Sequence, residues 1–316
     1  MQLYMAPMEG LTVHTYRNMF DAYYGGADKL FTPFIAAEGS YKMKKREIFD
    51  ISPENNEGLH VVPQIISNDA SNFIRFARII KGMGYDEVNL NLGCPSGTVV
   101  SKGKGAGFLG RKKQLDEFLH DIYSELTDIH ISVKTRLGLS APGEIEELID
   151  IYNKYPIYEL IIHPRVREEY YNGKPHMEEF MYALRASVNP VCYNGDINTL
   201  DDYGMLIQAC KKELPVMAGR GLIRNPSLFN MIRRGKNAMT DKETLRQFHD
   251  AVCSEYRASM PGERVVVFKM KEIWHYMIDL FDGNAAYARL LKKSHILSDY
   301  HIFVNRIFRE CELKDE

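Results

Sequence analysis

The sequence has few cysteines and no paired arrangement of them. Its five cysteines are an odd set, and no two have the spacing of a CxxC motif. A disulfide framework uses an even set of cysteines, and a structural zinc site uses clustered thiols. We therefore expect reduced thiols, no disulfide and no metal.

Long apolar runs and a dominant charge are also missing. No apolar run reaches the roughly 18 residues that span a bilayer, and the amino terminus MQLYMAPMEG lacks the basic and apolar regions of a signal peptide. We therefore expect a soluble, cytoplasmic protein without a membrane partner. A monomer is expected as well, although the sequence itself leaves the oligomeric state open. The net charge is −2, so a nucleic-acid partner would have to be met by local basic clusters.

Short apolar or alternating runs, each followed by a helical pattern, recur through the first three quarters of the chain. About eight such strands close a parallel barrel, so the sequence predicts a (β/α)8 TIM barrel. An open doubly wound sheet is the competing topology. The predicted strands are Leu3–Ala6, Lys29–Phe34, His60–Ile66, Glu87–Leu92, Ile131–Thr135, Glu159–His163, Val191–Asn194 and Val216–Ala218.

The alternation ceases after about Arg234, and only helical patterns follow. They predict about four helices, with breaks near Pro261, at Asp282–Asn284 and near Ser298. We therefore predict two domains, a barrel over residues 1–236 and a small all-helical domain over residues 241–316, joined by a linker at Gly235–Thr240.

The stretch Val88–Gly110 carries the clearest sign of chemistry. Its strand alternates apolar residues with Asn89 and Asn91, and the turn Gly93–Cys94–Pro95 then displays a thiol at the carboxyl end of the strand. Barrel enzymes place their reacting groups at these ends. We therefore interpret Cys94 as functional.

A glycine-rich segment follows the Cys94 turn and includes Lys102. The spacing of Gly105–Gly110 matches the GxGxxG motif of dinucleotide-binding folds, but those glycines directly follow a strand and these do not. We interpret the segment as a flexible loop leading into a helix.

Other predicted strands also end in polar residues. Lys134 fits three interpretations: a pair with a structural carboxylate, a Schiff-base nucleophile, or a contact with negative charge on a cofactor. The amide of Gln64 suits the edge of a pyrimidine-like ring, which favours a flavin. Asn194–Asp196 and Gly219–Arg220 end the last two strands, where barrels commonly bind phosphate before a short helix, here predicted from Asn225–Pro226.

Motifs in order along the chain resemble those of the tRNA-dihydrouridine synthase family, which are flavin enzymes of the barrel class. The resemblance runs from about Leu3 to Phe229, and the helical tail is similar in kind to the tRNA-binding domain of the family. The motifs are MAPMEGLT, PQI, NLNLGCPS, KGKGAGFLG, VKTRLG, IIHPR, YNGDI and MAGRGLIRNP.

The resemblance implies a reaction and a site. NADPH, or NADH, would reduce bound FMN, hydride would pass to C6 of a tRNA uridine, and Cys94 would protonate C5. Free cysteine has a reference pKa of about 8.5 and is mostly thiol at neutral pH, so its chemistry agrees with the implied role as a general acid. The implied FMN contacts are Pro7, Met8, Gln64, Lys134, His163, Asn194, Asp196, Gly219 and Arg220.

Substrate contacts are expected from Asn91, which would position the base or the flavin, and from basic residues near the barrel mouth and in the tail. Charge runs are usually solvated faces, but clusters that converge on the mouth would follow a phosphodiester backbone. The basic residues predicted to contact tRNA are Lys102, Arg136, Arg165, Arg167, Lys292 and Lys293.

Three rival functions remain open from the sequence. The first is an FMN-dependent barrel reductase of a small enone or pyrimidine-type substrate, the second a flavin-free Schiff-base lyase using Lys134, and the third a tRNA-binding protein without catalysis. Bound flavin would exclude the last two, since neither needs it.

Overall fold

The computed structural model of the protein describes residues 1–39, 42–235 and 241–314. Within these residues the strands form a ten-stranded sheet. The strands are β1 (Leu3–Met5), β2 (Lys29–Phe31), β3 (Ile35–Ala36), β4 (Val61–Val62), β5 (Gln64–Ile66), β6 (Glu87–Leu92), β7 (His130–Gly138), β8 (Leu160–Val166), β9 (Val191–Tyr193) and β10 (Val216–Ala218).

Helices follow the strands and then form the tail of the chain. The helices are α1 (His14–Tyr23), α2 (Lys45–Ile51), α3 (Ala70–Gly82), α4 (Gly97–Val100), α5 (Lys112–Glu125), α6 (Ile145–Tyr152), α7 (Met177–Ala186), α8 (Leu200–Cys210), α9 (Arg220–Arg224), α10 (Leu228–Arg234), α11 (Lys242–Ser259), α12 (Glu263–Met277), α13 (Ala285–Lys293) and α14 (Leu297–Glu310). Across the described residues, no helix combines the length and apolar character needed to cross a membrane.

The sheet closes into a ring of parallel strands. Its order is β3-β5-β6-β7-β8-β9-β10-β1-β2-β4, and β4, the last strand of this order, continues through Pro63 into β5, the second. Leu30 pairs with Val61 on one side of this proline, and Gln64 pairs with Asn89 on the other. Proline has no N–H to donate, so β4 and β5 are one barrel strand with a break in its ladder. The predicted TIM barrel is confirmed, and the ring excludes the open sheet.

Alternate side chains of the strands point into the ring. In β6 and β7 the inward positions are polar: Asn89 donates to Ser132, its register partner on β7. Thr135, on the opposite face of β7, bonds Tyr152 of α6. A buried cluster with members from β1, β2, β4, β8, β9 and β10 fills the part of the interior that these strands surround. Its members are Tyr4, Ala6, Phe31, Val62, Ile161, Cys192 and Met217.

Backbone contacts divide the chain into two compact units. The first contains Met1–Pro7, Asp28–Asp196 and Cys210–Met217, and the second contains Met8–Ala27, Ile197–Ala209 and Ala218–Glu316. The division into domains at residues 236 and 241 stays a prediction, and residues 236–240 of the predicted linker lie outside the described residues.

The second unit contains the four tail helices α11 to α14, in agreement with the predicted number. The last break lies between α13 and α14 near Ser294, earlier than the predicted Ser298, because Lys271 donates to the carbonyl groups of Lys292 and Ser294 and holds the end of α13. The unit also includes α1, whose Tyr16 packs edge-on against Phe248 of α11.

A buried polar cluster lies at the centre of the four helices. Trp274 Nε1 donates to the hydroxyl of Tyr300 over 2.8 Å, and this hydroxyl contacts Nε2 of His249. Nδ1 of His249 contacts a carboxylate oxygen of Asp250 over 2.8 Å. A carboxylate only accepts, so the proton of the imidazole is on Nδ1, and burial favours the neutral ring, whose Nε2 then accepts from the hydroxyl of Tyr300. Burial lowers the pKa of His249, and Asp250 opposes that shift.

Because His249 is buried in its neutral form, we predict that the helical unit loses stability at acidic pH. In the unfolded chain His249 takes up a proton near pH 6.5, whereas the folded state takes it up only at lower pH. Its contribution to stability is therefore complete above pH 6.5 and is lost as the pH falls toward the folded pKa. Asp250, Arg246 and His301 also act on the imidazole.

The prediction is checked by thermal unfolding between pH 5 and 8. We expect the midpoint temperature of the wild type to fall more steeply below pH 6.5 than that of His249→Phe. Parallel pH profiles for the two proteins would contradict the assignment.

Candidate active site

The Cys94 turn begins directly after β6 and is held by Asn91. The side-chain oxygen of Asn91 accepts from the backbone N–H of Gly93 over 3.0 Å and from that of Cys94 over 2.9 Å. All five cysteines lie within the described residues, and Cys94 alone among them is not buried. The thiol is thus held at the carboxyl end of a central barrel strand.

The glycine-rich segment after this turn is helical and packed, so its interpretation as a flexible loop is wrong. It contains α4 and a 3₁₀ turn at Gly105–Phe108. Ala106 N donates to the carbonyl oxygen of Cys94 over 3.1 Å. The glycines are needed because the backbone comes too close for a side chain: a Cβ at Gly107 would lie 2.8 Å from the carbonyl oxygen of Val100.

Gly105 offers a test of this packing. Its φ is +53°, and a Cβ there would lie 2.9 Å from the carbonyl oxygen of Cys94. We expect Gly105→Ala to destabilise the protein by about 1–3 kcal/mol and to alter the alkylation rate of Cys94, because the turn must move. Urea unfolding and timed labelling with iodoacetamide measure the two effects.

Gly97→Ala is the matched control for this substitution. Gly97 lies in the same segment, and no atom lies within 4 Å of a Cβ built there. Equal losses of stability in the two variants would show that the contact with Cys94 is not the cause.

Lys134 lies beside Asn91 in the register of β6 and β7. Burial lowers the pKa of its ammonium to about 7, and the charge of Arg136 acts in the same direction. Among the described residues no carboxylate contributes to this shift; Cys192 and Cys94 oppose it. The first interpretation of Lys134, an ion pair with a structural carboxylate, is therefore not found within the described part of the chain. The amine is suited to bind an anionic group of a ligand.

Arg136 is buried and supports the turn from β7. Its Nε donates to the carbonyl oxygen of Gly93 over 2.8 Å, and Nη1 donates to that of Val166 over 3.0 Å. With 1% of its surface exposed, this guanidinium does not fit the predicted contact with a tRNA backbone. We assign it instead to holding the Cys94 turn.

Arg165 is buried as well and organises the end of β8. It contacts Nε2 of His163 over 3.0 Å and forms an ion pair with Asp196, and it donates to the carbonyl groups of Asn172 and Gly173. The predicted contact of Arg165 with tRNA is therefore corrected, because its donors are engaged inside the protein. Arginine only donates, so Nε2 of His163 is the acceptor and the ring proton is on Nδ1.

Tyr171 is a site residue that the sequence reasoning missed. It is 52% exposed, its ring stacks on His163 with 6.0 Å between centroids, and the guanidinium of Arg136 lies 5.3 Å from its ring centre. The sequence feature that could have pointed to Tyr171 is the pair Tyr170–Tyr171 in a polar loop after a predicted barrel strand. The hydroxyl of Tyr170 accepts from Arg167, another predicted tRNA contact, over 3.0 Å.

The other predicted residues of the first unit have the following surroundings. Gln64 is fully buried and bonds Asn89 and Asn91 through its amide. Asn194 donates to the carbonyl oxygen of Met217 over 2.8 Å. The predicted tRNA contact Lys102 forms an exposed ion pair with Glu38. Pro7 is half-buried after β1.

Five predicted residues belong to the second unit, and they are Met8, Gly219, Arg220, Lys292 and Lys293. A helix, α10, begins at Leu228, two residues after the predicted Asn225–Pro226, but α9 precedes it and begins already at Arg220, directly after Gly219. The backbone allows this early start because Gly221 packs against residue 197, where a Cβ would lie 2.1 Å from the carbonyl oxygen. Lys292 and Lys293 are exposed in the last turn of α13.

The described residues contain no group of three or more histidine, cysteine, aspartate or glutamate side chains arranged to hold a metal ion. The site is instead made of a thiol, an amine of lowered pKa and amides at the carboxyl ends of barrel strands. This combination of a closed parallel ring and reactive groups at one edge defines a TIM-barrel enzyme.

Comparison with known proteins specifies the family. A family model described as dihydrouridine synthase matches residues 4–311. The tRNA-dihydrouridine(16) synthase of Pseudomonas putida is 30% identical over 72% of this chain and 72% of its own length, and that of Neisseria meningitidis is 28% identical over 77% and 74%. The chain belongs to the dihydrouridine synthase family, and the resemblance found in its motifs is confirmed.

Solved structures support the fold. Morphinone reductase is similar with a TM-score of 0.53 and 12% identity, over 77% of this chain and 88% of that protein. A 2-naphthoyl-CoA reductase is similar with a TM-score of 0.55 and 13% identity over 74% of this chain, which spans 50% of that larger protein. At this identity the likeness concerns the barrel alone.

Proposed function

We propose that this protein is an FMN-dependent tRNA-dihydrouridine synthase that reduces the C5–C6 bond of a uridine with electrons from NAD(P)H. The observation that carries the proposal is the meeting of the Cys94 turn and Lys134 at neighbouring positions of β6 and β7. The names of the relatives make uridine 16 of tRNA the first position to test. A preference for NADPH, a monomeric state and a cytoplasmic location remain predictions of the sequence.

The residues of the first unit suit a flavin. Lys134 is a half-buried amine that lacks a carboxylate partner within the described residues, and it would hold the negative charge near N1 of the reduced ring. Gln64, His163, Asn194, Asp196 and the backbone of Pro7 would bind the remaining polar edges. The contacts proposed for Met8, Gly219 and Arg220 rest on the motif resemblance.

FMN reduced by NAD(P)H would supply the hydride that C6 of the uridine receives. The residues of the chain do the rest. Cys94 donates its proton to C5, so that one hydride and one proton add across the double bond. Asn91 and Arg136 hold the turn that carries the thiol, and Tyr171 offers a ring on which a flat ligand can stack.

The proposal is tested with the purified protein and with tRNA from cells that lack it. We expect a yellow protein that releases FMN on denaturation, and the loss of dihydrouridine from one tRNA position in the deleted cells. A colourless protein that does not bind FMN would refute the flavin. Full activity on free uridine or on a small enone, with unchanged dihydrouridine in cellular tRNA, would favour the small-molecule reductase.

We predict that the exposed pair Lys292 and Lys293 of the tail contributes to tRNA binding. Lys292→Gln with Lys293→Gln should weaken binding at low salt and reduce the slope of log affinity against log salt by about 0.7–0.9 for each lost phosphate contact. Titration by fluorescence anisotropy measures both quantities.

The matched control is another pair of consecutive, exposed lysines, Lys211 and Lys212. These lysines precede β10 and therefore lie at the amino ends of the barrel strands, away from the Cys94 turn. We expect Lys211→Gln with Lys212→Gln to bind tRNA as the wild type does, and equal losses in both double variants would mean that binding follows net charge alone.

A further inference from the structure

A row of hydrogen-bonded side chains runs along the inner face of β6 and its neighbours β5 and β7, beneath the Cys94 turn. Asn91 Nδ2 donates to Gln64 Oε1 over 2.6 Å, and Gln64 Nε2 donates to Asn89 Oδ1 over 2.7 Å. Asn89 Nδ2 donates to Ser132 Oγ over 2.9 Å, and Ser132 donates to Glu87 Oε1 over 2.6 Å. We call these five residues the amide chain.

The amide chain connects the two ends of the barrel. Glu87 is the first residue of β6, and its second carboxylate oxygen pairs over 2.7 Å with Lys29, the first residue of β2. Lys29 also lies 3.7 Å from a carboxylate oxygen of Glu159. Every member of the chain is buried, with at most 7% of its surface exposed. A buried ion pair at the amino ends of the strands is thus joined to a turn at their carboxyl ends.

The direction of every hydrogen bond in the chain is fixed from both ends. The carboxylate of Glu87 can only accept, so Ser132 must donate to it and can then only accept from Asn89. At the other end two backbone N–H groups must meet the oxygen of Asn91 rather than its nitrogen. Both constraints give the same orientation for each amide between them, so the orientations do not depend on telling oxygen from nitrogen.

We propose that Glu87, Ser132 and Asn89 are positioning residues for the Cys94 turn. They act through Gln64 and keep the oxygen of Asn91 facing the backbone N–H groups of Gly93 and Cys94. Amides do not pass on protons readily, so the chain is an orienting device and not a proton path. Aligned hydrogen bonds of this kind polarise one another, which strengthens the last contact, at the turn.

An isosteric change at the far end should reverse the chain. In Glu87→Gln the amide oxygen would stay on Lys29, which can only donate, and the new NH₂ group would face Ser132. Ser132, Asn89 and Gln64 would then each turn over. The NH₂ group of Asn91 would finally face two backbone N–H groups, and the turn would lose both hydrogen bonds.

The rate at which iodoacetamide labels Cys94, located by peptide mass, tests the proposal without cofactor or tRNA. We expect labelling of Glu87→Gln to be about tenfold faster than that of the wild type, because two hydrogen bonds that restrain the half-buried thiol are lost. The double variant Lys29→Met with Glu87→Gln should return toward the wild-type rate, since its glutamine can again turn its oxygen to Ser132.

Ser132→Ala is the second variant, for use if Glu87→Gln does not fold. It breaks the chain without reversing it, and we expect labelling about threefold faster. Tyr152→Phe is the matched control, because it removes a buried hydrogen bond of 3.0 Å on the outer face of β7. Wild-type labelling rates in the folded chain variants, or an equal increase in Tyr152→Phe, would overturn the proposal.

A second readout rests on the proposed function. In the FMN-loaded enzyme we expect Glu87→Gln to lower kcat for dihydrouridine formation with little change in KM for tRNA, because Glu87 is buried at the amino end of β6, at the opposite end of the strand from the Cys94 turn. A rise in KM with unchanged kcat would contradict positioning of the thiol. A protein that shows the labelling shifts but reduces no uridine would refute the proposed function and leave the positioning role standing.

Discussion

Cys94→Ala is expected to form dihydrouridine about 10²–10⁴-fold more slowly than the wild type while it still binds FMN and oxidises NADPH. In the proposed reaction Cys94 supplies the proton for C5, and removal of a general acid lowers rates by about this factor. The proposed cofactor contacts lie on other strands, so flavin binding should persist. Single-turnover mixing with tRNA, followed by dihydrouridine analysis, measures the loss.

Two further variants make this result specific. Cys94→Ser keeps the shape of the turn but offers a much weaker acid, so it should resemble Cys94→Ala. Cys253→Ala removes a buried cysteine of α11 and should keep wild-type activity once folded. An unchanged product yield in Cys94→Ala would remove the general-acid role and leave the turn with a binding role alone.

Lys134→Met is expected to slow reduction of the flavin by NADPH by about 10²-fold and to lower its midpoint potential. Methionine matches the length of the lysine but cannot hold the negative charge that develops on reduction, and loss of one such preorganised group has about this effect. Rapid-mixing kinetics and a spectroscopic redox titration measure the two quantities.

The pKa of about 7 for Lys134 adds a pH dependence with a definite sign. Negative charge on the ring favours the charged ammonium, so reduction draws a proton onto Lys134 wherever the free amine is neutral. Above pH 7 the midpoint potential of the wild type should therefore fall more steeply with pH than that of Lys134→Met. Parallel profiles, or a wild-type reduction rate in the variant, would refute the contact.

The barrel was predictable because its information is local. Each strand buries an apolar face, and the alternation of Val88, Leu90 and Leu92 with two asparagines shows which face is which. The position of Cys94 was equally predictable, since the turn Gly93–Cys94–Pro95 directly follows the alternating pattern and both glycine and proline favour the end of a strand. The four tail helices follow from the same kind of periodicity.

Several roles were not predictable because they depend on burial and on partners distant in the sequence. Arginine is a residue type that commonly contacts the phosphates of tRNA, so the sequence predicted this role for Arg136 and Arg165. In the folded ring both side chains are buried, and their guanidinium groups bind carbonyl groups and Asp196 instead. Tyr171 carries no motif, and its stacking on His163 depends on how the loop after β8 folds back.

The sequence by itself determined the barrel, the position of Cys94 at the end of a strand and the family, because repeated short patterns and ordered motifs encode them. Only the tertiary structure decided that β4 and β5 close the ring as one strand, that α1 packs with the tail helices, and that Glu87 is linked to Cys94 through buried amides. These features join residues far apart in the chain. Hydrogen bonds and packing contacts between such residues exist only in the folded chain, so no local sequence pattern predicts them.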